Sequence, residues 1–180
     1  MRIISGQHKG RVIVPPRGFK ARPTTDYAKE SLFNIISNNY DFETLKILDL
    51  FAGTGGISYE FASRGSLSID TVEISPLHFS FIKRTANELD YKQMHIIRND
   101  AFKFLHFCTV SYDIIFADPP YTFKGIEEIP LTIFTRNLLN NGGLLILEHS
   151  DNEDFSNIKQ FSYKRHYGGV NFSFFQNIVL

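Results

Sequence analysis

The sequence contains no tryptophan, a single cysteine and two methionines in 180 residues. A lone Cys108 cannot close an internal disulfide, so a bridge-stapled scaffold is excluded, and a small buried hydrophobe in a reducing compartment is the expected fate of that thiol. No apolar run approaches the roughly 18 residues of a membrane span, and the start MRIISGQHKGR has no apolar stretch before a small-residue cleavage site. Membrane insertion and secretion are not expected; a cytoplasmic location is. The six histidines lie far apart, with no Cys/His spacing of a zinc site, so no metal is expected.

Aromatic residues are abundant, with 18 Phe and 8 Tyr in a chain that is 43% hydrophobic and 21% charged. That supply of large buried surface supports a core without disulfide or metal, and the length fits one domain over residues 1–180. A monomer is expected.

Net charge is zero, with 19 basic and 19 acidic residues, but the two signs are unevenly placed. Arg2, Lys9, Arg11, Arg17, Lys20 and Arg22 fall in residues 1–25, which contain no acid, so the remainder is net acidic. A basic arm on an acidic body can hold a polyanion through phosphate contacts, and it can equally be a solvated leader.

Between residues 45 and 148, short apolar or β-branched runs alternate with helical patterns, which predicts βα repeats and a mainly parallel sheet. Strands are expected at Leu45–Leu50, Ser68–Ile74, Met94–Arg98, Tyr112–Ala117 and Gly143–Glu148, and helices at Gly56–Arg64, Pro76–Asp90, Ala101–Phe107 and Ile126–Leu139. Ser75-Pro76 reads as an N-cap followed by proline at the first helical position, and Asn140 to Gly143 as the stop of the last helix. An earlier helix at Thr25–Asn38 carries Ala28, Leu32, Ile35 and Ile36 on one face. Gln160–His166 and Val170–Val179, separated by Gly168-Gly169, predict a hairpin added to the sheet edge.

Three features carry chemistry. The run Asp49-Leu50-Phe51-Ala52-Gly53-Thr54-Gly55-Gly56 sits where a strand becomes a helix, where glycines let main-chain N–H groups approach a ligand. Ser58 stands where the third glycine of a dinucleotide-binding turn belongs, and by itself such a turn also suits a purely structural connection. Glu73 follows 20 residues after Gly53 at the end of the next strand, where an acid can accept hydrogen bonds from ribose hydroxyls. Asp100 closes the third strand at the same sheet end, as a helix N-cap, a ligand contact or both. Asp118-Pro119-Pro120-Tyr121 follows the fourth strand. Its prolines fix the direction of the Asp118 carboxylate and the Pro119 carbonyl, two acceptors suited to the two N–H groups of an exocyclic amine, with Tyr121 as a stacking face.

Together these residues resemble the class I S-adenosylmethionine-dependent methyltransferases, with a cofactor turn of the form D-x-F-x-G-x-G and a D/N-P-P-Y target motif. Met1 to Gly6 with Lys9-Gly10-Arg11, then Arg22-Pro23-Thr24-Thr25-Asp26, Glu30 to Asn34 and Tyr167-Gly168-Gly169, are similar to the RsmD family of bacterial 16S rRNA guanine-N2 methyltransferases over essentially the whole chain. The resemblance implies a Rossmann-like α/β fold with a C-terminal antiparallel hairpin and helices on both faces. It places Asp49, Phe51, Gly53 and Gly55 at the methionine end of S-adenosyl-L-methionine, Glu73 at the ribose and Asp100 at the adenine amine. Asp118, Pro119, Pro120 and Tyr121 become the target site, and Lys9, Arg11, Arg22 and Thr24 meet RNA of the small ribosomal subunit. Adenine-N6 methylation of DNA or RNA uses the same two general motifs. A nicotinamide oxidoreductase fits Glu73 and the glycine turn but not the missing third glycine. A non-catalytic RNA-binding module fits only the basic arm.

Overall fold

The βα repeats build one seven-stranded sheet. In a computed structural model describing residues 1–16, 18–19 and 25–178, the strands are β1 Lys46–Leu50, β2 Ser68–Glu73, β3 Met94–Arg98, β4 Tyr112–Ala117, β5 Leu139–His149, β6 Phe161–Tyr167 and β7 Val170–Gln176. They lie side by side in the order β3-β2-β1-β4-β5-β7-β6. β1 to β5 are parallel, as apolar strands joined by helical crossovers must be, while β7 runs antiparallel to β5 and β6 antiparallel to β7. The order reverses between β1 and β4. Ligand crevices of open α/β sheets form at the carboxyl ends of such a pair of strands.

Helices cover both faces. Residues of α1 Asp26–Ser37, α2 Gly56–Ser63 and α3 Pro76–Glu88 join one hydrophobic cluster, and residues of α4 Ala101–Phe107 and α5 Glu128–Thr135 join the other. The expected caps form: the Ser75 hydroxyl accepts from the His78 amide ahead of Pro76, and Thr25 accepts from the Ala28 amide at the start of α1.

The last helix is shorter than expected. α5 stops at Thr135 instead of Leu139, because Asn137 takes a left-handed conformation (φ 53°) and the Leu138 amide bonds back to the Ile133 carbonyl. This is a helix-ending loop in which asparagine does the work usually given to glycine. Leu138 and Leu139 are then buried, and β5 begins four residues before the expected Gly143. Asn140 to Gly143 form a bulged entry to that strand, pinned by Asn140 on Asp113 and by the Gly142 amide on the Asn177 carbonyl.

The basic N-terminal segment also departs from a simple arm. Residues 1–13 fold back as a small antiparallel ribbon, with Ile3 and Ile13 in the core, the Ile3 amide on Arg11 and the Gly10 amide on Ile3. Glu60 of α2 anchors this ribbon. Fully buried, its carboxylate accepts the Ile4 and Ser5 amides at 2.8 and 3.0 Å, and it pairs with Arg64 at 3.0 Å and Lys29 at 3.4 Å. Gly6 is forced at the crossing point: its φ is 81°, and a Cβ there would lie 1.8 Å from the Ser63 carbonyl oxygen. Lys9 and Arg11 stay exposed on the ribbon. Arg17, Lys20, Arg22 and Thr24 lie outside the described residues.

Candidate active site

The turn after β1 is shaped by left-handed residues. Phe51, Gly53 and Gly55 have φ of 60°, 57° and 81°; for phenylalanine this is an uncommon, strained conformation of the kind found beside ligand sites. Gly55 caps α2 without a side chain, so Gly56 and Ile57 at the helix start line an open space. That space is a cavity of about 460 Å³ at the carboxyl ends of the central strands, within the usual range for small-molecule sites.

Asp49, Phe51, Gly53, Glu73, Asp100, Asp118, Pro119, Pro120 and Tyr121, all expected from the sequence, line this one cavity. Gly55 is the exception among the residues expected at a cofactor: it shapes the turn, and a Cβ on it would lie 2.9 Å from the Tyr59 ring. Lys9 and Arg11 are not among the lining residues.

Each acid is held by its own element. Glu73, at the end of β2, accepts the Gly53 amide on one oxygen and the Ser75 amide on the other, each at 2.8 Å, and so ties the glycine turn to the next strand. A carboxylate has about four lone-pair directions, so both oxygens retain capacity for a ligand. Asp100 accepts the Lys103 amide as N-cap of α4, as expected, and also lines the cavity.

Asp49 is buried in β1 and accepts the Ser58 hydroxyl at 2.5 Å, which also bonds Thr71 at 2.8 Å. Burial, reinforced by the charge of Glu73 and opposed by the Ser58 bonds, pushes the Asp49 carboxyl up to about 7. Asp118 follows β4, its amide bonded to the Leu50 carbonyl at 3.4 Å. Burial, then the carboxylates of Glu148 and Asp49, raises it well above the ordinary range. Beyond it, Pro120 accepts the Phe123 amide, whereas among the described residues no hydrogen bond reaches the Pro119 carbonyl. Tyr121 stands 52% exposed at the mouth.

Among the described residues the cavity therefore gathers five carboxylates, from Asp49, Glu73, Asp100, Asp118 and Glu148, against the side-chain ammonium of Lys29 and the ring of His78. Carboxylates whose ionisation is opposed by mutual repulsion and burial become favourable again when a cation enters. The chemistry of the donor set fits a positively charged ligand with hydroxyl and amine groups.

Comparison with known proteins agrees. The family model described as "Conserved hypothetical protein 95" matches residues 1–176. Ribosomal RNA small subunit methyltransferase D of Buchnera aphidicola is 34% identical over 151 residues, spanning 84% of this chain and 76% of that protein. The chain belongs to the RsmD family of methyltransferases. The Bacillus subtilis protein YlbH is 35% identical over 83% of this chain and 82% of its own length. The solved structure of Escherichia coli yhhF superposes with a TM-score of 0.87 and 25% identity, covering 100% of this chain and 99% of that one. The class I methyltransferase fold inferred for the family is the fold of this chain.

Several residues of this RsmD-family site escaped the motifs. Ser58 was visible only as a missing glycine, yet its hydroxyl holds Asp49; Thr71 lies one strand away. Glu148 closes the apolar run Leu144 to Leu147, a position at which a buried charge is costly, and that cost was the available signal. Phe123 and Phe102 stack at 5.5 Å, and Phe123 meets the cavity-lining Phe51 edge-on at 5.7 Å, an aromatic cluster assembled from two loops and α4. Such convergence leaves no local pattern.

Proposed function

We propose that this protein transfers a methyl group from S-adenosyl-L-methionine to the exocyclic N2 amine of a guanine in 16S rRNA of the small ribosomal subunit, acting in the cytoplasm as a monomer. Residues 1–180 serve as one catalytic unit. The observation that carries this reading is the opening of Asp118 and Pro119 onto the same acid-lined cavity as Asp49 and Glu73. When bound, the cofactor supplies a methyl group made electrophilic by a sulfonium, so no covalent enzyme intermediate is required.

The residues divide the work. Glu73, by its position at the end of β2, accepts ribose hydroxyls, and Asp100 accepts the adenine amine of the cofactor. Asp49, Phe51 and the glycine turn form the wall at the methionine end. Asp118 and the Pro119 carbonyl accept the two N2 hydrogens of guanine, which draws the nitrogen out of conjugation with the ring and aims its lone pair. A bound cation lowers the carboxyl of Asp118 toward its ionised, accepting form. Its intrinsically raised pKa then suits Asp118 to hold the proton that N2 releases, with water as the other route. Tyr121 stacks on the base, a contact worth about 1–3 kcal/mol. A duplex guanine cannot reach these groups, so the target is extruded or unpaired.

Lys9 and Arg11 lie away from the cavity and serve the RNA backbone at a distance from the target. Arg22 and Thr24 complete the RNA contact in this reading. Tyr27, 64% exposed and edge-on to Tyr167 at 6.2 Å, adds an aromatic rim beside the cavity-lining Thr25.

The test is Asp118→Ala. The variant is expected to bind S-adenosyl-L-methionine in calorimetry and to lose transfer of labelled methyl to small-subunit RNA; near-normal turnover refutes the role. Mass spectrometry of the nucleosides made by the wild type distinguishes N2-methylguanine from N6-methyladenine.

A further inference from the structure

The D-P-P-Y motif handles an exocyclic amine but does not say which base carries it. Guanine and adenine differ at the neighbouring ring position: N1 of guanine carries a hydrogen and donates, whereas N1 of adenine is a lone pair and accepts. An ionised carboxylate beside Asp118, which accepts and cannot donate, would separate them.

Glu148 has that position. β4 and β5 pair in register up to Ala117 with Leu147, so Asp118 and Glu148 occupy the next rung and extend to the same face of the sheet. Neighbouring strands lie about 4.8 Å apart, a spacing from which two side chains can address adjacent atoms of one base edge. Glu148 is 3% exposed and lines the same cavity as Asp118, Pro119 and Tyr121. Burial, and then the neighbouring Glu148 carboxylate, hold the Asp118 carboxyl above its ordinary range, so the nearness of the two groups registers there as well. Two positions earlier on the same face stands the apolar Ile146, so the carboxylate is introduced at the cavity end of the strand.

We propose that Glu148 is the residue that selects guanine over adenine, accepting the guanine N1–H while Asp118 and the Pro119 carbonyl hold the N2 amine. An adenine in the same pose turns its N1 lone pair toward the carboxylate, so two acceptors face each other with no hydrogen between them. A site built to accept a hydrogen rejects strongly a base that lacks it. The inference rests on the guanine-N2 reading above and adds the residue that enforces it.

The discriminating probe is 2-aminopurine, which keeps the exocyclic 2-amino group but has a lone pair at N1. The methylated position is first mapped in small-subunit RNA with the wild-type enzyme. Synthetic fragments of that RNA spanning the position are then made with guanine or 2-aminopurine at the target. Wild type is expected to methylate the guanine fragment about 10- to 100-fold faster, the discrimination typical of a paired base-edge contact. In Glu148→Gln the amide can turn either its oxygen or its nitrogen to N1, so the ratio is expected to shrink to within about 3-fold. A merely structural role would change both rates alike and leave the ratio intact.

Equal wild-type rates on the two fragments overturn the proposal, as does a Glu148→Gln enzyme that keeps the full ratio. The wild-type comparison decides alone if the variant does not fold. If the mapped wild-type product is N6-methyladenine, the underlying reading has failed and this inference falls with it; if the product is N2-methylguanine and the ratio is flat, only the role of Glu148 is lost.

Discussion

Removing the Glu60 carboxylate should unfasten the N-terminal ribbon from the catalytic body. Glu60 is fully buried and binds four groups at once, two backbone amides of the ribbon and the cations of Lys29 and Arg64. Lys29 is 3% exposed, and burial outweighs the attraction of Glu60, so its pKa lies below the usual lysine value. The ion pair thus does not fully offset the desolvation of its own ammonium. Breaking such a pair from one side is nevertheless expensive, about 3–5 kcal/mol, because the remaining charge is stranded. Glu60→Ala should therefore lower Tm by about 6–20 °C, at the 2–4 °C per kcal/mol of a domain this size.

The sign of a second substitution tests the cause. Lys29→Met in the wild type removes a partner of Glu60 and should destabilise, but in Glu60→Ala it removes the stranded ammonium and should restore part of the lost Tm. Thermal unfolding of the four proteins by circular dichroism reads the cycle directly. A fall in Tm below about 2 °C for Glu60→Ala, equivalent to no more than about 1 kcal/mol, refutes the reasoning. So does Lys29→Met acting in the same direction in both backgrounds.

Other consequences follow the same geometry. Gly6→Ala should cost more than about 2 kcal/mol in denaturant unfolding, since a left-handed backbone and a clash with the Ser63 carbonyl combine, whereas Gly10→Ala, at φ 84° with open space around it, should cost only about 1 kcal/mol. Equal losses at the two glycines would remove the clash as a cause. Reversing Lys9 and Arg11 to glutamate should weaken binding to small-subunit RNA and flatten the slope of log K against log salt by at least about 1.4, with folding unchanged because both are exposed; an unaltered slope excludes them from RNA contact. Asp49, raised to about 7, should release a proton when cationic S-adenosyl-L-methionine binds, so affinity tightens from pH 6 to 8 and calorimetry in buffers of different ionisation heat detects the proton. The same raised value means that its contribution to the stability of the ligand-free protein is present below about pH 4 and is lost as pH rises through about 7; Asp49→Asn should flatten both profiles.

The parts of this molecule legible in its sequence are those written locally. Ser75 and Pro76 mark a helix start because capping involves neighbours three residues apart, and the Asp118 prolines act on adjacent bonds. The glycine turn and Glu73 could be aligned because a βα unit fixes their spacing, and the Gly53 amide does meet the Glu73 carboxylate. The order of the strands was not legible, since it depends on contacts between distant segments. Nor was the end of α5, where the run of Asn140 to Gly143 outweighed a single Asn137 whose left-handed turn depends on burying Leu138 and Leu139 behind it. The basic arm could be counted but not folded. Its attachment runs through an acid 55 residues away on a helix whose apolar pattern gives no hint of a partner.

Glu60 and the cavity acids pose opposite electrostatic problems on one domain, and the difference separates structure from function. Around Glu60 the charge is matched within the fold by two amides and two cations, so the arrangement is complete without any ligand. Around Asp118 burial is compounded by charges of the same sign, from Glu148 and Asp49, and Asp49 is itself raised by burial and then by Glu73. Internal amides and the Ser58 hydroxyl reduce that repulsion without removing it. Such a cluster lowers the stability of the empty protein and is retained only if something else gains by it. A cationic cofactor gains directly, and its entry shifts the same carboxylates toward the ionised state, the state required of Asp118 in the target-site role proposed for it. On the target-site role proposed for Asp118, cofactor binding and base recognition are coupled through shared protons: occupancy by the cation is expected to prepare Asp118 to grip the amine, so the target base is expected to bind best when the methyl donor is already in place.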